Sequence, residues 1–226
     1  MAKERARKVD VAARIYDLAT KKYGIRGEDL FFDTLTFTLG SGDEEFRKKF
    51  LSWDLGNLTY VDIREYLKEK DTVLIPMASL EQHGPHLPLY TDTITAVEMT
   101  ARVAEMIAVL HTPPICMGYS PQHMYAPGSG RGTITCRSST LLELWYDVGR
   151  SLIHHGFNRL IFINGHGSNV KIVDPVLRKL RYETGALIGF AKPYMERYTG
   201  ILAGLMENPP EETPGWHSSE LETSQD

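Results

Sequence analysis

The sequence lacks the features that mark several large classes of protein. Its formal net charge is −4, so it offers no excess of basic residues to nucleic acid or anionic membranes. No apolar run approaches the roughly 20 residues that span a bilayer, and the N-terminus has no apolar core of a secretory signal. Its two cysteines, Cys116 and Cys136, form no metal-binding pair by spacing, and we expect reduced thiols. We therefore expect a cytoplasmic protein whose partners include neither nucleic acid nor a membrane.

Two short hydrophobic runs, each followed by a polar loop, are the main features that are present. The first run covers residues 73–77 and the second covers residues 160–164. Continuous apolar runs of this length are typical of strands buried on both faces of a sheet. Because ligands collect beyond the carboxyl ends of parallel strands, we expect both loops to face one crevice. The polar residues that follow the two runs are Glu81, His83, His86, Asp92 and His166.

The imidazoles and carboxylates of these loops predict a metal site. Five ligands exceed the three that a single catalytic zinc ion takes, so we expect two divalent cations of zinc, manganese or iron. We assign Asp92 as the carboxylate that bridges them, since it can reach back from the start of the next helix. Such a pair would activate a water molecule and polarise a carbonyl group, which is the chemistry of hydrolysis. The candidate ligands are Glu81, His83, Asp92, His166 and one carboxylate from Glu220 or Glu222.

Strands and helices alternate along residues 50–226, which predicts an α/β fold with a parallel sheet and right-handed crossovers. The second and fourth strands are predicted at residues 114–117 and 186–191. Residues 1–49 are predicted to form a separate N-terminal extension of helical and extended segments. The dense polar cluster before Asp226 suggests a domain that is shortened at its C-terminus.

At these motifs the sequence resembles the creatininase (creatinine amidohydrolase) family, over about residues 50–226. The resemblance implies a three-layer α/β/α fold with a central, mainly parallel sheet and two divalent metal ions. It also implies hydrolysis of a non-peptide or cyclic amide C–N bond by a homo-oligomer, often a hexamer. The matching segments are residues 76–88, Asp92, residues 164–169 and residues 217–224.

The resemblance also implies roles for individual residues. His217 would give or take a proton near the substrate. Trp216 is either a platform on which the substrate stacks or a residue of interface packing. The positions that correspond to metal ligands are Glu81, His83, Asp92 and His166, and those that line the substrate pocket are Ser120, His123 and Gly167.

Two departures from the family pattern bear on the substrate. Creatininase has a glutamate ligand two residues after the second metal histidine, where this chain has Ser168, so a substrate other than creatinine is expected. The missing ligand would be Glu220 or Glu222, and we favour Glu222 because it lies in the family's Glu-Thr-Ser. Other branches, including a pyrimidine deformylase and a peptide-trimming maturase, share the Gly-His-Gly form. An insertion within residues 127–134 places Arg131 at the pocket lip, where it either meets an anionic substrate group or stays solvated.

Three functional hypotheses follow. The leading one is a metal-dependent amidohydrolase acting on a small amide, lactam or formamide. The second is a shortened, non-catalytic member of the family that acts as a binding or assembly scaffold. The third is a component of pterin or corrinoid methyl transfer, because residues 10–48 resemble a fragment of the pterin-binding domain of cobalamin-dependent methionine synthase. That fragment is far shorter than the roughly 250 residues of a closed barrel.

Overall fold

The computed structural model describes residues 13–14, 16–22, 52–125, 130–192, 217–218 and 220–223. The chain divides into two compact units, Met1–Ser52 with Asn57–Asp62, and Trp53–Gly56 with Ile63–Asp226. In the first unit, the described residues include a π-helical segment, Leu18–Lys22. The expected extension and its pterin-binding resemblance fall almost wholly outside the described residues, so both stay predictions.

The second unit contains a four-stranded parallel sheet. β1 and β3 pair in register from Thr72 with Arg159 to Met77 with Asn164, so their carboxyl ends lie side by side. This arrangement confirms the predicted α/β fold with its parallel sheet. The strands are β1 (Thr72–Met77), β2 (Leu110–His111), β3 (Arg159–Asn164) and β4 (Leu187–Ala191), in the spatial order β2-β1-β3-β4.

Helices connect successive strands and cover the sheet. Besides the helical residues 13–14 and 16–17 and the π-helical segment, the described helices are α1 (Tyr60–Tyr66), α2 (Thr91–Ile107), α3 (Gln122–Tyr125), α4 (Ser138–His154), α5 (Val170–Thr184) and α6 (Glu220–Thr223), with 3-10 turns at Leu55–Asn57 and Gly167–Asn169. The chain moves one way across the sheet from β1 to β2 and the other way from β2 to β3 and β4. Right-handed crossovers therefore place α2 on one face and α4 with α5 on the other. None of the described helices is long and apolar enough to cross a membrane.

Packing on the two faces of the sheet fixes the ends of β1 and β3. On the α2 face, Leu74 of β1 and Ile163 of β3 form a buried cluster with Ala104 of α2. On the other side, α4 and α5 pack against each other, and Gly149 permits this contact. A Cβ atom at Gly149 would lie 2.5 Å from Leu180 Cδ1. The close packing of both layers makes the central strands a rigid base for the loops that follow them.

The second strand differs from its predicted position. It is Leu110–His111 instead of residues 114–117, and Ile115 joins the sheet in a single bridge to Met77. Proline has no backbone N–H to donate to a ladder, and Pro113 and Pro114 lie between His111 and Ile115. The prediction was wrong because the apolar run was weighed above Pro114, its own first residue, and Pro113 before it.

Candidate metal centre

The polar loops after β1 and β3 meet at the carboxyl edge of the sheet. Glu81 and His83 follow β1, and His166 follows β3. Asp92 is the second residue of α2, where the positive end of the helix dipole favours a carboxylate. These four side chains are buried, since each residue is at most 5% exposed.

The two oxygens of Asp92 face two different imidazoles. Asp92 Oδ2 lies 2.9 Å from His166 Nδ1, which is also 2.9 Å from Glu81 Oε2. Asp92 Oδ1 lies 3.3 Å from His83 Nε2, which is 3.6 Å from Glu222 Oε2. Asp92 therefore has the placement of a carboxylate shared between two neighbouring sets of donors.

Backbone carbonyl groups fix which nitrogen of each buried histidine carries hydrogen. His83 Nδ1 lies 2.9 Å from the Glu81 carbonyl oxygen, and His166 Nε2 lies 3.0 Å from that of Tyr119. Because a carbonyl oxygen accepts and never donates, these two nitrogens are the donors. When neutral, the two imidazoles direct their lone pairs, on His83 Nε2 and His166 Nδ1, at the carboxylates. Metal-binding histidines are held in this way by partners outside the ligand set.

A metal ion is a better partner for the buried nitrogen and oxygen atoms than the described protein groups are. His83 Nε2 and Asp92 Oδ2 are buried and hydrogen-bond to none of the described groups, although Asp92 Oδ2 is 2.9 Å from His166 Nδ1. A buried polar atom without a partner costs roughly 1–3 kcal/mol, and a cation between these atoms would remove that cost. Nitrogen and oxygen donors of this kind suit zinc, manganese and iron.

Three overlapping groups of these residues have the spacing of metal ligands. In each group the potential ligand atoms lie within 4.8 Å of one another. Glu81 and His217 each occur in two of the groups, so the groups form one continuous cluster. The groups are Glu81 with Asp92 and His166, His83 with His217 and Glu222, and Glu81 with His123 and His217.

Opposing effects shift the pKa values of the buried groups. Burial lowers the pKa of His166, but Asp92 and Glu81 outweigh it and raise that pKa to about 10. Burial likewise lowers the pKa of His83, and Asp92 raises it to about 9. Burial raises the pKa of Glu222 to about 7 against the opposing charge of His83. Without a metal ion, the imidazoles thus hold protons because the cluster stabilises positive charge.

Ser120 forms a hydrogen bond with a carboxylate of the cluster. Its hydroxyl group donates a hydrogen bond of 2.8 Å to Glu81 Oε2 and lies 2.7 Å from Ser79 Oγ. Because the single Ser120 hydrogen goes to the carboxylate, the Ser79 hydroxyl group is the donor to Ser120. Both serines are completely buried. The structure therefore places Ser120, which was expected in the substrate pocket, in contact with a candidate metal ligand.

Two more histidines lie on the solvent side of Glu81. His123 Nε2 is 2.5 Å and His217 Nδ1 is 3.5 Å from Glu81 Oε1. The ring of His217 lies between those of His83 and His123, with centroid distances of 4.4 and 4.6 Å. Burial lowers the pKa of His217, and the opposing charge of Glu81 does not reverse this.

Most of the site residues predicted from the sequence lie together. Of the two carboxylates left open by the sequence, Glu222 lies beside His83, whereas the Glu220 side chain is outside the described part of the chain. Gly167 is exposed and begins the 3-10 turn after His166, and Trp216 lies outside the described residues.

Ser79 was missed, because its contact with Ser120 joins positions 41 residues apart. The predicted residues that the structure brings together are Glu81, His83, Asp92, Ser120, His123, His166, His217 and Glu222.

Comparisons with known proteins give a matching family model and curated relatives. The family model described as "Creatininase: Creatinine amidohydrolase" matches residues 56–225. A mycofactocin precursor peptide peptidase of Mycolicibacterium smegmatis is 38% identical over 117 residues, which cover 49% of this chain and 45% of that protein. A creatinine amidohydrolase of Pseudomonas putida is 35% identical over 134 residues, which cover 57% of this chain and 52% of that protein.

Solved structures show the same fold. One described as "Creatininase Mn" superposes with a TM-score of 0.64 at 29% sequence identity, covering 76% of this chain and 71% of the other. The chain spans about half the length of the curated relatives it matches.

Proposed function

The chain belongs to the creatininase family, and on that premise we propose that it is a metal-dependent amidohydrolase. It would hydrolyse the C–N bond of a small amide, lactam or formamide. One observation carries the proposal. The two oxygens of buried Asp92 face the lone pairs of His83 and His166, and backbone carbonyls hold both imidazoles in the tautomers that a metal ion requires.

We assign two divalent cations of zinc, manganese or iron to this cluster. Glu81 Oε2, Asp92 Oδ2 and His166 Nδ1 would hold the first. Asp92 Oδ1, His83 Nε2 and Glu222 Oε2 would hold the second, so Asp92 is the shared ligand. When bound, such ions lower the pKa of a water molecule and polarise an amide carbonyl.

We assign to His217 the proton transfer that hydrolysis requires. Its Nδ1 atom lies 3.5 Å from Glu81 Oε1, and its side chain is 28% exposed, so it borders the open side of the cluster. The leaving nitrogen of an amide must gain a proton, and a positioned histidine contributes 10²- to 10⁴-fold to such a step. His217 would accept a proton from the attacking water and then pass a proton to that nitrogen, so that it ends the cycle neutral.

A short peptide is the second candidate substrate class. The relative that is 38% identical is described as a precursor peptide peptidase, and this chain has Ser168 where the creatininase pattern has a glutamate ligand. The scaffold hypothesis is weaker, because a binding scaffold gives no reason for a buried cluster of imidazoles and carboxylates with the spacing of metal ligands. Methyl transfer has no support among the described residues. A homo-oligomer, up to the hexamer that the family resemblance implies, remains a proposal for sedimentation analysis.

The proposed activity is tested by metal analysis combined with a substrate screen. The purified protein, loaded with zinc, manganese or iron, is assayed against cyclic amides, formamides and short peptides. We expect His83→Ala and His166→Ala to lose bound metal and at least about 10²-fold in kcat/KM. His154→Ala, an exposed histidine at the end of α4, is the matched control and should behave as wild type. Full metal content and activity in both cluster variants would reject the assignment.

A further inference from the structure

We propose that Gln82 is a positioning residue that sorts the histidines of the cluster into metal ligands and hydrogen donors. Its side-chain amide holds His123 and His217 in the tautomers that point N–H groups, not lone pairs, at Glu81. His83 and His166 then remain the imidazoles with lone pairs for metal ions. The catalytic consequence rests on the proposed function, whereas the tautomers themselves do not.

The orientation of the Gln82 amide is fixed by the backbone. The Gly84 N–H group donates a hydrogen bond of 3.0 Å to Gln82 Oε1. If the amide were rotated by 180°, its NH₂ group would face that N–H group, and two donors would oppose each other. The oxygen therefore faces Gly84, and Nε2 with its two hydrogens faces the histidines.

The amide nitrogen contacts both histidines on the solvent side of Glu81. Gln82 Nε2 lies 2.8 Å from His123 Nδ1 and 3.4 Å from His217 Nε2. An amide NH₂ group has two hydrogens and no lone pair to offer, so each ring nitrogen that faces it accepts. In a ring that carries a single hydrogen, that hydrogen must then be on the other nitrogen, which is Nε2 in His123 and Nδ1 in His217.

Those other nitrogens both face Glu81. His123 Nε2 is 2.5 Å and His217 Nδ1 is 3.5 Å from Glu81 Oε1, whereas Glu81 Oε2 faces His166 Nδ1 at 2.9 Å. Oε1 therefore receives N–H groups, and Oε2 is left for a cation. The third group with ligand spacing, Glu81 with His123 and His217, is accordingly a hydrogen-bonding group and not a metal site.

The loop on the other side of Gln82 holds it in place. Its backbone N–H group donates a hydrogen bond of 3.0 Å to Thr133 Oγ1. Gly130 lies against the side chain, because a Cβ atom there would be 2.9 Å from Gln82 Oε1. Contacts thus hold Gln82 at its backbone N–H group, its side-chain oxygen and its side-chain nitrogen. A residue that sets the tautomers of its neighbours has to be held in this way.

The tautomers are tested by solid-state ¹⁵N NMR of the zinc-loaded protein labelled in its histidine rings. Resonances are assigned with His123→Gln and His217→Gln. In wild type we expect hydrogen on His123 Nε2 and His217 Nδ1, with the facing nitrogens bare. Gln82→Glu replaces the NH₂ group with an acceptor, so hydrogen should appear on His123 Nδ1 and His217 Nε2. Gln122→Glu is the matched control, since Gln122 contacts Ser168, and its spectrum should match wild type.

Activity provides the second measurement. With an amide that the protein hydrolyses, Gln82→Glu should lower kcat by about 10²-fold or more with little change in KM. The kcat of Gln122→Glu should stay within about twofold of the wild-type value. Hydrogen on His123 Nδ1 in wild type, or an unchanged spectrum in Gln82→Glu, would overturn the proposal. If no amide is hydrolysed but the spectra agree, the amidohydrolase proposal fails and the role of Gln82 stands.

Discussion

Replacing Asp92 with asparagine removes the one carboxylate that both proposed cations would share. Asparagine keeps the size of the side chain and one of its oxygens, so the start of α2 keeps its packing. Opposite unit charges 4 Å apart attract by about 4 kcal/mol at an effective dielectric constant of about 20. A divalent ion in contact with Asp92 is closer and more highly charged, but its desolvation opposes the attraction, so we take this value as the scale of the loss. At 1.4 kcal/mol per factor of ten, zinc affinity should fall about 10³-fold.

Competition with a chromophoric chelator measures this loss and counts the ions bound. Asp174→Asn is the matched control, because Asp174 is an exposed carboxylate of α5 that pairs with Arg178. It should leave both the zinc affinity and the number of ions within error of wild type. If Asp92→Asn still binds two zinc ions within tenfold of the wild-type affinity, Asp92 is not the shared ligand and the paired-cation assignment fails.

Three further predictions concern the same cluster. Glu222→Gln should weaken the second ion and leave the first, whereas Glu220→Gln should change neither, as measured by metal titration. Gly165→Ala should lower stability by about 1–3 kcal/mol in thermal melts, because the added Cβ would lie 2.3 Å from the Asp92 carbonyl oxygen. Because the pKa of His83 is raised to about 9, that of His166 to about 10 and that of Glu222 to about 7, each ion must displace at least about one proton at pH 7. Metal affinity should therefore rise at least about tenfold per pH unit until pH 9, and calorimetry in buffers of different ionisation enthalpy should detect the released protons.

The parts of the site that could be predicted from the sequence are those whose residues lie close together along the chain. An apolar run followed by a loop of histidine and carboxylate identifies a strand and the ligands beyond it, since both signals lie within about 20 residues. The sequence could not show that Ser79 and Ser120 contact each other, because that pairing depends on the course of the loop between them. The role of Gln82 was hidden for the same reason, as its partner His217 is 135 residues away. The second strand was predicted at the wrong residues because the hydrophobicity of a segment does not show that its prolines lack the N–H group that a sheet needs.

The parallel sheet explains why a cluster of this kind forms where it does. From β1 the chain turns to β2 by way of α2, whereas β3 continues in the opposite direction to β4, so a crevice opens between the ends of β1 and β3. The Met77–Asn164 register pair sets the separation of the two loops, and Gly165 lets the first turn of α2 close over the crevice. Asp92 is thereby placed between His83 and His166 by packed helix and strand. The spacing of the donors is set by the sheet and α2, which predicts that deleting residues 126–129 should leave zinc affinity unchanged while altering substrate preference.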